Sequence, residues 1–254
     1  MRFSRPIRHV VATGAAVGLA AAIAGLPAGG AYAGVKAQYA AAGSASADYV
    51  GSGVGGSCDL TAGTDNPQTT PVTFSDGTKK ASVVLDATYT NNLNSGDTVH
   101  VKGHVDTKLT VDKFHKNLRS FDFGAGGSLT LVHSVSTSDC AGNGSVFGES
   151  IMQFTETKKG YFYLTRDTGK PNSVSIFALV NLKNGNLKTL DFYEGDKSHA
   201  TSRVLLKPGK YGIELMQVGF ALSDSGGIIL KSGAPLKRAV SLTTTLHGEF
   251  KPKN

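Results

Sequence analysis

The chain has 254 residues, of which 40% are hydrophobic and 18% charged, and its formal net charge is +7. This length allows one large or two small domains with an apolar core. Basic and acidic residues are interleaved along the chain, as at Asp106 and Lys108. Nucleic-acid-binding proteins concentrate basic residues on one face, and no such concentration is visible in the sequence. We therefore expect no nucleic-acid partner.

Residues 1–33 have the organisation of a secretory signal peptide. Three arginines lie within the first eight residues, residues 10–26 are almost wholly Ala, Val, Gly, Leu and Ile, and residues 31–33 are Ala-Tyr-Ala. Glycines and a proline interrupt the apolar run, so an integral membrane anchor is not expected. We predict an exported protein that is secreted and extracellular, or loosely associated with the cell wall.

Residues 34–57 are mostly Ala, Gly and Ser, with hardly any charge. So few large apolar side chains cannot offset the entropy that is lost when a segment becomes ordered. We therefore predict a flexible leader over residues 34–57. Residues 45–47 are Ala-Ser-Ala and offer a second cleavage position, so the mature protein begins after Ala33 or after Ala47.

The chain has two cysteines, Cys58 and Cys140. Two cysteines in an exported protein usually pair, and we predict a disulfide between them. The first alternative is two buried free thiols. The second is a catalytic cysteine, which is disfavoured because neither cysteine has a histidine close by in the sequence.

Alternation with a period of two residues dominates the chain from about residue 70 onward, which indicates half-buried strands. In residues 99–106, valines on one side alternate with His100, Lys102, His104 and Asp106 on the other. Residues 124–127 are Gly-Ala-Gly-Gly, which predicts a loop before the next strand.

The second half of the chain repeats this pattern. Residues 174–182 are apolar at nearly every position, which predicts a strand covered on both faces. Asn-Gly at residues 184–185 and Pro-Gly at residues 208–209 predict turns. The last strand is the most regular, and its apolar residues are Val240, Leu242, Leu246 and Phe250.

Many short strands separated by turn residues predict an all-β fold, an antiparallel β-sandwich or jelly roll. We predict two small sandwiches, an N-terminal β domain over residues 58–144 that the disulfide closes and a C-terminal sandwich over residues 145–254. One continuous sandwich of two sheets is the alternative.

Residues 160–164 are Gly-Tyr-Phe-Tyr-Leu, and residues 204–213 are Val-Leu-Leu-Lys-Pro-Gly-Lys-Tyr-Gly-Ile. This strand–turn–strand pattern resembles the bacterial pre-peptidase C-terminal (PPC-like) domains, which are small jelly rolls appended to secreted hydrolases. The resemblance covers residues 150–220 and implies an accessory, non-catalytic module. Because no catalytic domain stands upstream in this sequence, such a role would require a separate partner.

Residues 223–227, Ser-Asp-Ser-Gly-Gly, resemble the nucleophile segment of trypsin-like proteases, in which Ser225 would attack the substrate. That family also needs a histidine followed by a cysteine and a separate buried aspartate. In this chain no histidine is followed directly by a cysteine. A polar hairpin loop is therefore the preferred interpretation.

His100, His104 and Asp106 share one strand face, and His133 could join them from a neighbouring strand as a metal ligand. However, His100 and His104 are roughly 13 Å apart on a straight strand, too far for one ion. A solvated polar face is the better interpretation. We expect no metal site and no cofactor.

Glycoside hydrolysis needs two carboxyl groups that can be distant in sequence, and no local signature identifies such a pair. The available acids are Glu149, Glu156, Glu194 and Glu214. The chain has no tryptophan, the usual platform for a sugar ring, so tyrosines are the substitutes. The candidate binding residues are Tyr161, Tyr163, Tyr193 and Tyr211, for each of which packing in the core or at an edge is the alternative.

These observations predict a secreted, non-enzymatic β-sandwich protein that binds an extracellular ligand, either a cell-wall polymer or a carbohydrate. One alternative is an extracellular hydrolase of glycosides, peptides or esters whose site assembles only in the fold. Another is a passive structural protein of the cell wall. A deep pocket with converging acids would favour the hydrolase, and a flat polar surface with aromatic residues would favour the binding protein.

Overall fold

The computed structural model describes residues 34–135, 138–168, 173–194, 198–222 and 237–253. Within these residues the chain forms thirteen β-strands and no helix. The strands are β1 (Lys36–Tyr49), β2 (Cys58–Thr64), β3 (Val72–Phe74), β4 (Gly77–Asn91), β5 (Asn94–Phe114), β6 (Asn117–His133), β7 (Cys140–Glu156), β8 (Gly160–Thr168), β9 (Ser173–Asn181), β10 (Leu187–Glu194), β11 (Ser198–Leu206), β12 (Gly209–Leu222) and β13 (Lys237–Pro252).

The strands form two antiparallel sheets that pack face to face. The six-stranded sheet has the order β10-β9-β12-β7-β1-β3, and the seven-stranded sheet has the order β11-β8-β13-β6-β5-β4-β2. The inner faces of both sheets contribute to the hydrophobic core. The predicted all-β antiparallel sandwich is therefore confirmed.

The segment predicted to be a flexible leader instead forms strand β1. It pairs with β7 along its whole length, from Lys36 opposite Gln153 to Tyr49 opposite Cys140. Its inward residues Ala37, Tyr39 and Ala41 are buried. At Gly43 a Cβ atom would lie 3.1 Å from the Cβ atom of Leu85, so a small residue lets the strand lie close to the opposite sheet. The hydrogen-bonded ladder with β7 supplies the order that composition does not show.

The predicted boundary between residues 144 and 145 lies in the middle of β7, so the chain does not divide there. β7 pairs with β1 on one side and with β12 on the other, and β6 pairs with β13. Each sheet therefore contains strands from both halves of the chain. The fold is the alternative prediction, one sandwich of two sheets.

The described residues include no helix that is long and apolar enough to cross a membrane.

The predicted disulfide is confirmed, with an S–S distance of 2.00 Å and 5.9 Å between the two Cα atoms. Cys58 lies in the seven-stranded sheet and Cys140 in the six-stranded sheet, so the bond joins the two layers and does not close a separate domain. Beside it, the buried Asp97 accepts hydrogen bonds from the Ser138 hydroxyl at 2.6 Å and the Asp139 amide at 2.9 Å.

The glycine-rich residues 124–127 are not a loop but the middle of β6. They pair with β5 on one side and β13 on the other. A Cβ atom at Gly127 would lie 2.2 Å from the carbonyl oxygen of His104. Glycine is thus required here by the close approach of a neighbouring strand, a constraint that resembles a turn signal in the sequence.

The last strand has the predicted orientation wherever its side chains are described. Leu246 and Phe250 are buried, and Thr245 and His247 on the opposite face are exposed. The side chains of Val240 and Leu242 lie outside the described residues. Residues 174–182 form β9 and the start of its turn, and Phe177, Ala178, Leu179 and Val180 are all buried, as expected for a strand covered on both faces.

Replacing Leu246 by alanine should lower the free energy of unfolding by about 2–4 kcal/mol, because it removes a fully buried side chain from the core. The neighbouring exposed Thr245→Ala should change it by less than about 0.5 kcal/mol. Chemical denaturation of both variants with the disulfide intact checks this comparison. Equal stability of the two variants would contradict the assignment of the buried face.

The exported protein should begin near residue 34 and not at residue 48, because cleavage after Ala47 would remove most of β1, which pairs with β7 and β3 in its sheet. A variant that starts at residue 48 should lose its cooperative thermal transition, whereas one that starts at residue 34 should retain it. N-terminal sequencing of secreted protein and scanning calorimetry of the two variants are the measurements. A cooperatively folded protein that lacks residues 34–47 would show that β1 is dispensable.

Candidate functional site

The outer face of the seven-stranded sheet, which we call the polar face, presents a continuous polar surface. Alternation along β4, β5, β6, β13 and β8 points every second side chain away from the core. Its central residues are Lys80, Ser82, His104, Asp106, Lys108, Gly124, Gly126, Ser128, Thr243 and Thr245. The predicted polar side of residues 99–106 is part of this face.

A shallow, open cleft of about 600 Å³ lies at the centre of the polar face. Its described lining comes only from β4, β5 and β6 of one sheet, so the cleft opens outward and is not a void between the layers. Gly124 and Gly126 contribute no side chains, and the neighbouring strands rise beside them with Lys80, Ser82, Asp106 and Lys108. The glycines predicted to form a loop thus provide the floor of a depression.

The polar groups in the cleft are uncommitted. Lys80, Ser82, Asp106 and Lys108 make no side-chain hydrogen bond or ion pair with any other residue that the structure describes, and all four are exposed. In register, Ser82 lies opposite Asp106 and Lys80 opposite Lys108. The cleft therefore presents a carboxylate, two ammonium groups and a hydroxyl group to solvent.

Polar groups on either side of the cleft, by contrast, are paired with one another. His100 contacts Asp86 at 2.7 Å, and His247 contacts Asp122 at the same distance. The hydrogen bond from His100 and the nearby Lys102 ammonium hold the pKa of Asp86 below its usual range. These pairs stabilise the flat face. The charged side chains that line the cleft have no such partner among the described residues.

The histidines do not converge. His100 and His104 lie on the polar face, and His104 contacts the Ser128 hydroxyl at 3.1 Å. His133, the possible third ligand, instead lies inside the sandwich, where burial lowers the pKa of its ring. Among the described residues, no group of three or more His, Cys, Asp or Glu side chains could hold a metal ion.

Two of the four candidate tyrosines share the polar face with the cleft. Tyr161 and Tyr163 lie on β8, half-buried, with ring centroids 6.3 Å apart. The Arg203 guanidinium lies 5.2 Å from the ring centroid of Tyr161, and the Lys251 ammonium lies 5.3 Å from that of Tyr163. One face of each ring is thus occupied, and neither hydroxyl is hydrogen-bonded to a described residue.

The other two tyrosines differ from this pair. Tyr211 is 1% exposed, stacks on Phe154, and donates its hydroxyl hydrogen to the carbonyl of Lys207 at 2.7 Å. It is a core residue that fixes the preceding turn, and a ligand cannot reach it. The side chain of Tyr193 lies outside the described residues, as do Ser225 and the side chain of Glu194.

Two of the candidate acids lie on adjacent strands of the other sheet. Glu149 on β7 pairs in register with Met216, two residues along β12 from Glu214, so the two carboxyl groups are diagonal neighbours on the outer face. Burial raises the pKa of both, and the charge of Glu149 adds to the shift that brings Glu214 to about 7. Glu214 is only 1% exposed, however, so a substrate cannot reach it in this structure.

Glu156 lies inside the sandwich at the end of β7. Neither carboxylate oxygen has a hydrogen-bond partner within standard geometry among the described residues. Burial raises the pKa of Glu156 to about 8, and the neighbouring backbone of Leu118 opposes this shift only in part. The group is therefore a neutral carboxylic acid at pH 7, buried beneath the turns at this end of the molecule.

Glu156→Gln should make the protein more stable at neutral and alkaline pH. Below the ordinary pKa of about 4.5, the folded and unfolded chains both carry the proton, and stability is at its full value. As the pH rises to about 8, only the unfolded chain ionises, so stability is lost. Glutamine removes this loss, and we expect a gain of about 2–4 kcal/mol at pH 8 relative to pH 4.5.

Denaturation at pH 4.5, 6 and 8 measures this difference, with the exposed Asp76→Asn as the surface control. Glu214 gives a smaller slope of the same sign in both proteins. Parallel pH profiles of the wild type and Glu156→Gln would show that the carboxyl is already ionised in the folded protein.

No protein-family model and no curated protein matches the chain. Among solved structures, the chain is similar to the CBM36-1 domain of a multidomain xylanase from the hindgut metagenome of Trinervitermes trinervoides, with 14% identity and a TM-score of 0.22 over 41% of this chain and 72% of that chain. It is also similar to the Podospora anserina GH26-CBM35 β-(1,4)-mannanase, with 14% identity and a TM-score of 0.21 over 42% of this chain and 20% of that chain. It is also similar to tailspike protein 4 of bacteriophage CBA120, with 11% identity and a TM-score of 0.22 over 70% of this chain and 19% of that chain. Similarities with TM-scores this low carry no conclusion about the function of this chain.

Proposed function

We propose that this protein is a non-enzymatic binding protein that holds an extended, hydroxyl-rich polymer of the polysaccharide class across the polar face. The observation that supports this proposal most directly is the cleft with uncommitted Asp106 and Lys108 beside its glycine floor. An open, shallow depression on a flat sheet fits a polymer strand and does not enclose a small molecule. The accessory, non-catalytic role implied by the PPC-like resemblance is of the same kind.

The chemistry of the cleft matches the hydroxyl groups of a sugar chain. Each sugar hydroxyl both donates and accepts hydrogen bonds. The Asp106 carboxylate accepts such bonds, the Lys80 and Lys108 ammonium groups donate them, and Ser82 does both. Because these groups are solvated in the free protein, a ligand gains by replacing their water without breaking an internal pair.

The tyrosine pair extends this surface. Gly124 lies opposite Thr245, which lies opposite Asp167, four residues from Tyr163 on β8. Two strand spacings across and four residues along place Tyr163 roughly 16 Å from the cleft floor. A ligand that contacts the cleft and the free hydroxyls of Tyr161 and Tyr163 must therefore span several units, which favours a polymer.

The setting in which such binding would occur follows from the N-terminal sequence. The predicted signal peptide places the protein outside the cell, and the Cys58–Cys140 disulfide is compatible with an oxidising compartment. A secreted protein meets polysaccharides of the cell wall or of its surroundings, and either is a suitable ligand for the polar face.

A hydrolase remains the second candidate, on the basis of the raised pKa values of Glu149 and Glu214. A protonated and an ionised carboxyl group side by side are what glycoside hydrolysis requires. The burial of Glu214 counts against this candidate. A passive structural protein of the cell wall is the third candidate, and it requires no cleft at all.

The wild-type protein should be retained by at least one of a panel of insoluble polysaccharides, namely cellulose, xylan, mannan, chitin and purified peptidoglycan. Asp106→Ala with Lys108→Ala should weaken retention at least tenfold, and so should Tyr161→Ala with Tyr163→Ala. Asp48→Ala, an exposed carboxylate of the six-stranded sheet, is the control and should bind like the wild type. Thermal unfolding establishes that each variant is folded.

Three results would count against the proposal. If the wild-type protein is retained by none of the five polymers, the ligand is not a polysaccharide of this panel and the proposal fails. If the cleft variants are retained as well as the wild type, the binding site lies elsewhere. Release of reducing sugar that is lost in Glu149→Gln or Glu214→Gln would replace the binding protein by the hydrolase.

A further inference from the structure

One end of the sandwich collects turns from both sheets, and we call it the lysine end. It consists of residues 75–76, 113–117, 157–159, 182–188, 207–210 and 251–253. The opposite end carries the Cys58–Cys140 disulfide. The six segments are far apart in sequence, and the antiparallel strands that they connect or end bring them to the same end of the sandwich.

Contacts between neighbouring segments show that they form one surface. The Asn117 side chain donates to the Thr157 hydroxyl at 3.1 Å, and the Lys253 amide donates to the carbonyl of Lys159 at 2.9 Å. The Leu182 amide donates to the carbonyl of Lys210 at 2.9 Å.

Two further contacts complete the surface. The Lys113 ammonium donates to the Ser75 hydroxyl at 3.1 Å. Gly209 lies opposite Glu156 in register, next to the turn at residues 157–159. The segments from the two sheets are therefore contiguous.

The lysine end is strongly cationic. Its segments hold 10 of the 26 Lys and Arg residues of the chain and one of the 19 Asp and Glu residues, so the rest of the chain carries 16 basic and 18 acidic residues. Glu156 beneath it is neutral at pH 7 because burial raises its pKa to about 8. The concentrated basic surface that the sequence does not show is thus created by the fold.

Two apolar side chains project from the same end. Phe114, at the tip of the β5–β6 hairpin, is 64% exposed, and Leu187, where β10 begins, is 50% exposed. Lys113 and Lys116 flank the first, and Lys188 follows the second. Exposed apolar tips among lysines are the combination that membrane-surface proteins use, with the charges at the headgroups and the apolar groups below them.

We propose that the lysine end docks on the surface of an anionic lipid bilayer. The ten lysines are spread over five of the six segments, across the end of both sheets, which suits a planar surface better than a single polymer strand. A soluble polyanion would also leave Phe114 and Leu187 without a partner. In this orientation the strands stand away from the bilayer and the cleft remains accessible, so the inference is independent of the cleft, although Tyr161 lies opposite Lys251 of the lysine end.

Binding to vesicles of phosphatidylcholine with 30% phosphatidylglycerol tests the charge requirement, with pure phosphatidylcholine vesicles for comparison. We expect sedimentation with the anionic vesicles alone, and loss of binding between 50 and 500 mM salt. Each lysine near an anionic membrane strengthens binding about fivefold. The triple variant Lys116→Gln, Lys158→Gln, Lys159→Gln should therefore bind roughly 100-fold more weakly.

The matched control is Val54→Glu with Val84→Glu and Leu93→Glu, which lowers the net charge by the same three units at exposed positions away from the lysine end. It should bind the anionic vesicles within about twofold of the wild type if the lysine end is the contact surface. If the control and the triple variant lose vesicle binding to the same extent, net charge alone attracts the protein to the vesicles, and the proposal is overturned.

Insertion of the hairpin tip can be observed directly because the chain has no tryptophan. Phe114→Trp should give an emission that shifts to the blue with anionic vesicles and is quenched by brominated lipids, whereas Val84→Trp should show neither effect. Unchanged emission of the Phe114→Trp protein on bound vesicles would refute the docking geometry. Binding to polyphosphate but not to anionic vesicles would identify a polyanion site instead and overturn the proposal.

Discussion

Phe162 contacts aromatic rings from both sheets, and this layer of rings holds the two halves of the sandwich together. Its ring centroid lies 6.1 Å from that of Phe121 in its own sheet, and 6.3 Å from those of Phe154 and Phe177 in the opposite sheet. Such pairs stabilise beyond the area they bury. Because β8 is held between β13 on one side and β11 on the other, the layer also depends on β13, which comes from the C-terminal end of the chain.

Away from this layer, the sheets approach each other closely. A Cβ atom at Gly144 on β7 would lie 2.6 Å from a methyl group of Val101 on β5. The disulfide and the hydrogen bonds of Asp97 fix the same end of the sandwich. One end is thus held by short contacts and a covalent bond, and the other carries the aromatic layer and the long turns.

This division gives the molecule two polar surfaces, which meet where the Lys251 ammonium lies 5.3 Å from the ring centroid of Tyr163. The polar face is flat and nearly balanced in charge, because its histidines and aspartates pair with one another on either side of the cleft. The lysine end is unbalanced, because its segments bring ten lysines together with Asp76 as their one acidic residue, and the ion pair of Lys251 with Glu249 offsets only one of these charges. The first surface suits hydrogen bonding to a neutral polymer, and the second suits an anionic plane.

Sequence patterns succeeded where a local rule decides the structure. The alternation around Val101 and around Leu246 specifies which side chains face the core, and the apolar run around Phe177 specifies a strand covered on both faces. They failed where small residues have two interpretations. Alanine and glycine in residues 36–49 indicate flexibility in a solvated chain, yet they form β1 because β7 pairs with the whole strand, and Gly43 lies so close to the opposite sheet that a Cβ atom there would be 3.1 Å from Leu85.

The candidate site was predictable in part. The polar side of β5 and the tyrosines of β8 could be named, but their common face could not, because β13 lies between β6 and β8 and comes from the end of the chain. Tyr211 shows the reverse case, since its sequence context is that of an exposed turn and only the fold buries it against Phe154.

The sequence alone determined the class of this protein, namely strands, two paired cysteines and a predicted route of export, because periodicity, cysteine number and a leader are local properties of the chain. Only the tertiary structure decided that there is one sandwich and that glycines form a cleft floor. It also gathered ten lysines at one end. These features depend on which strands become neighbours, and that choice is made by pairing and packing between segments about a hundred residues apart in the sequence.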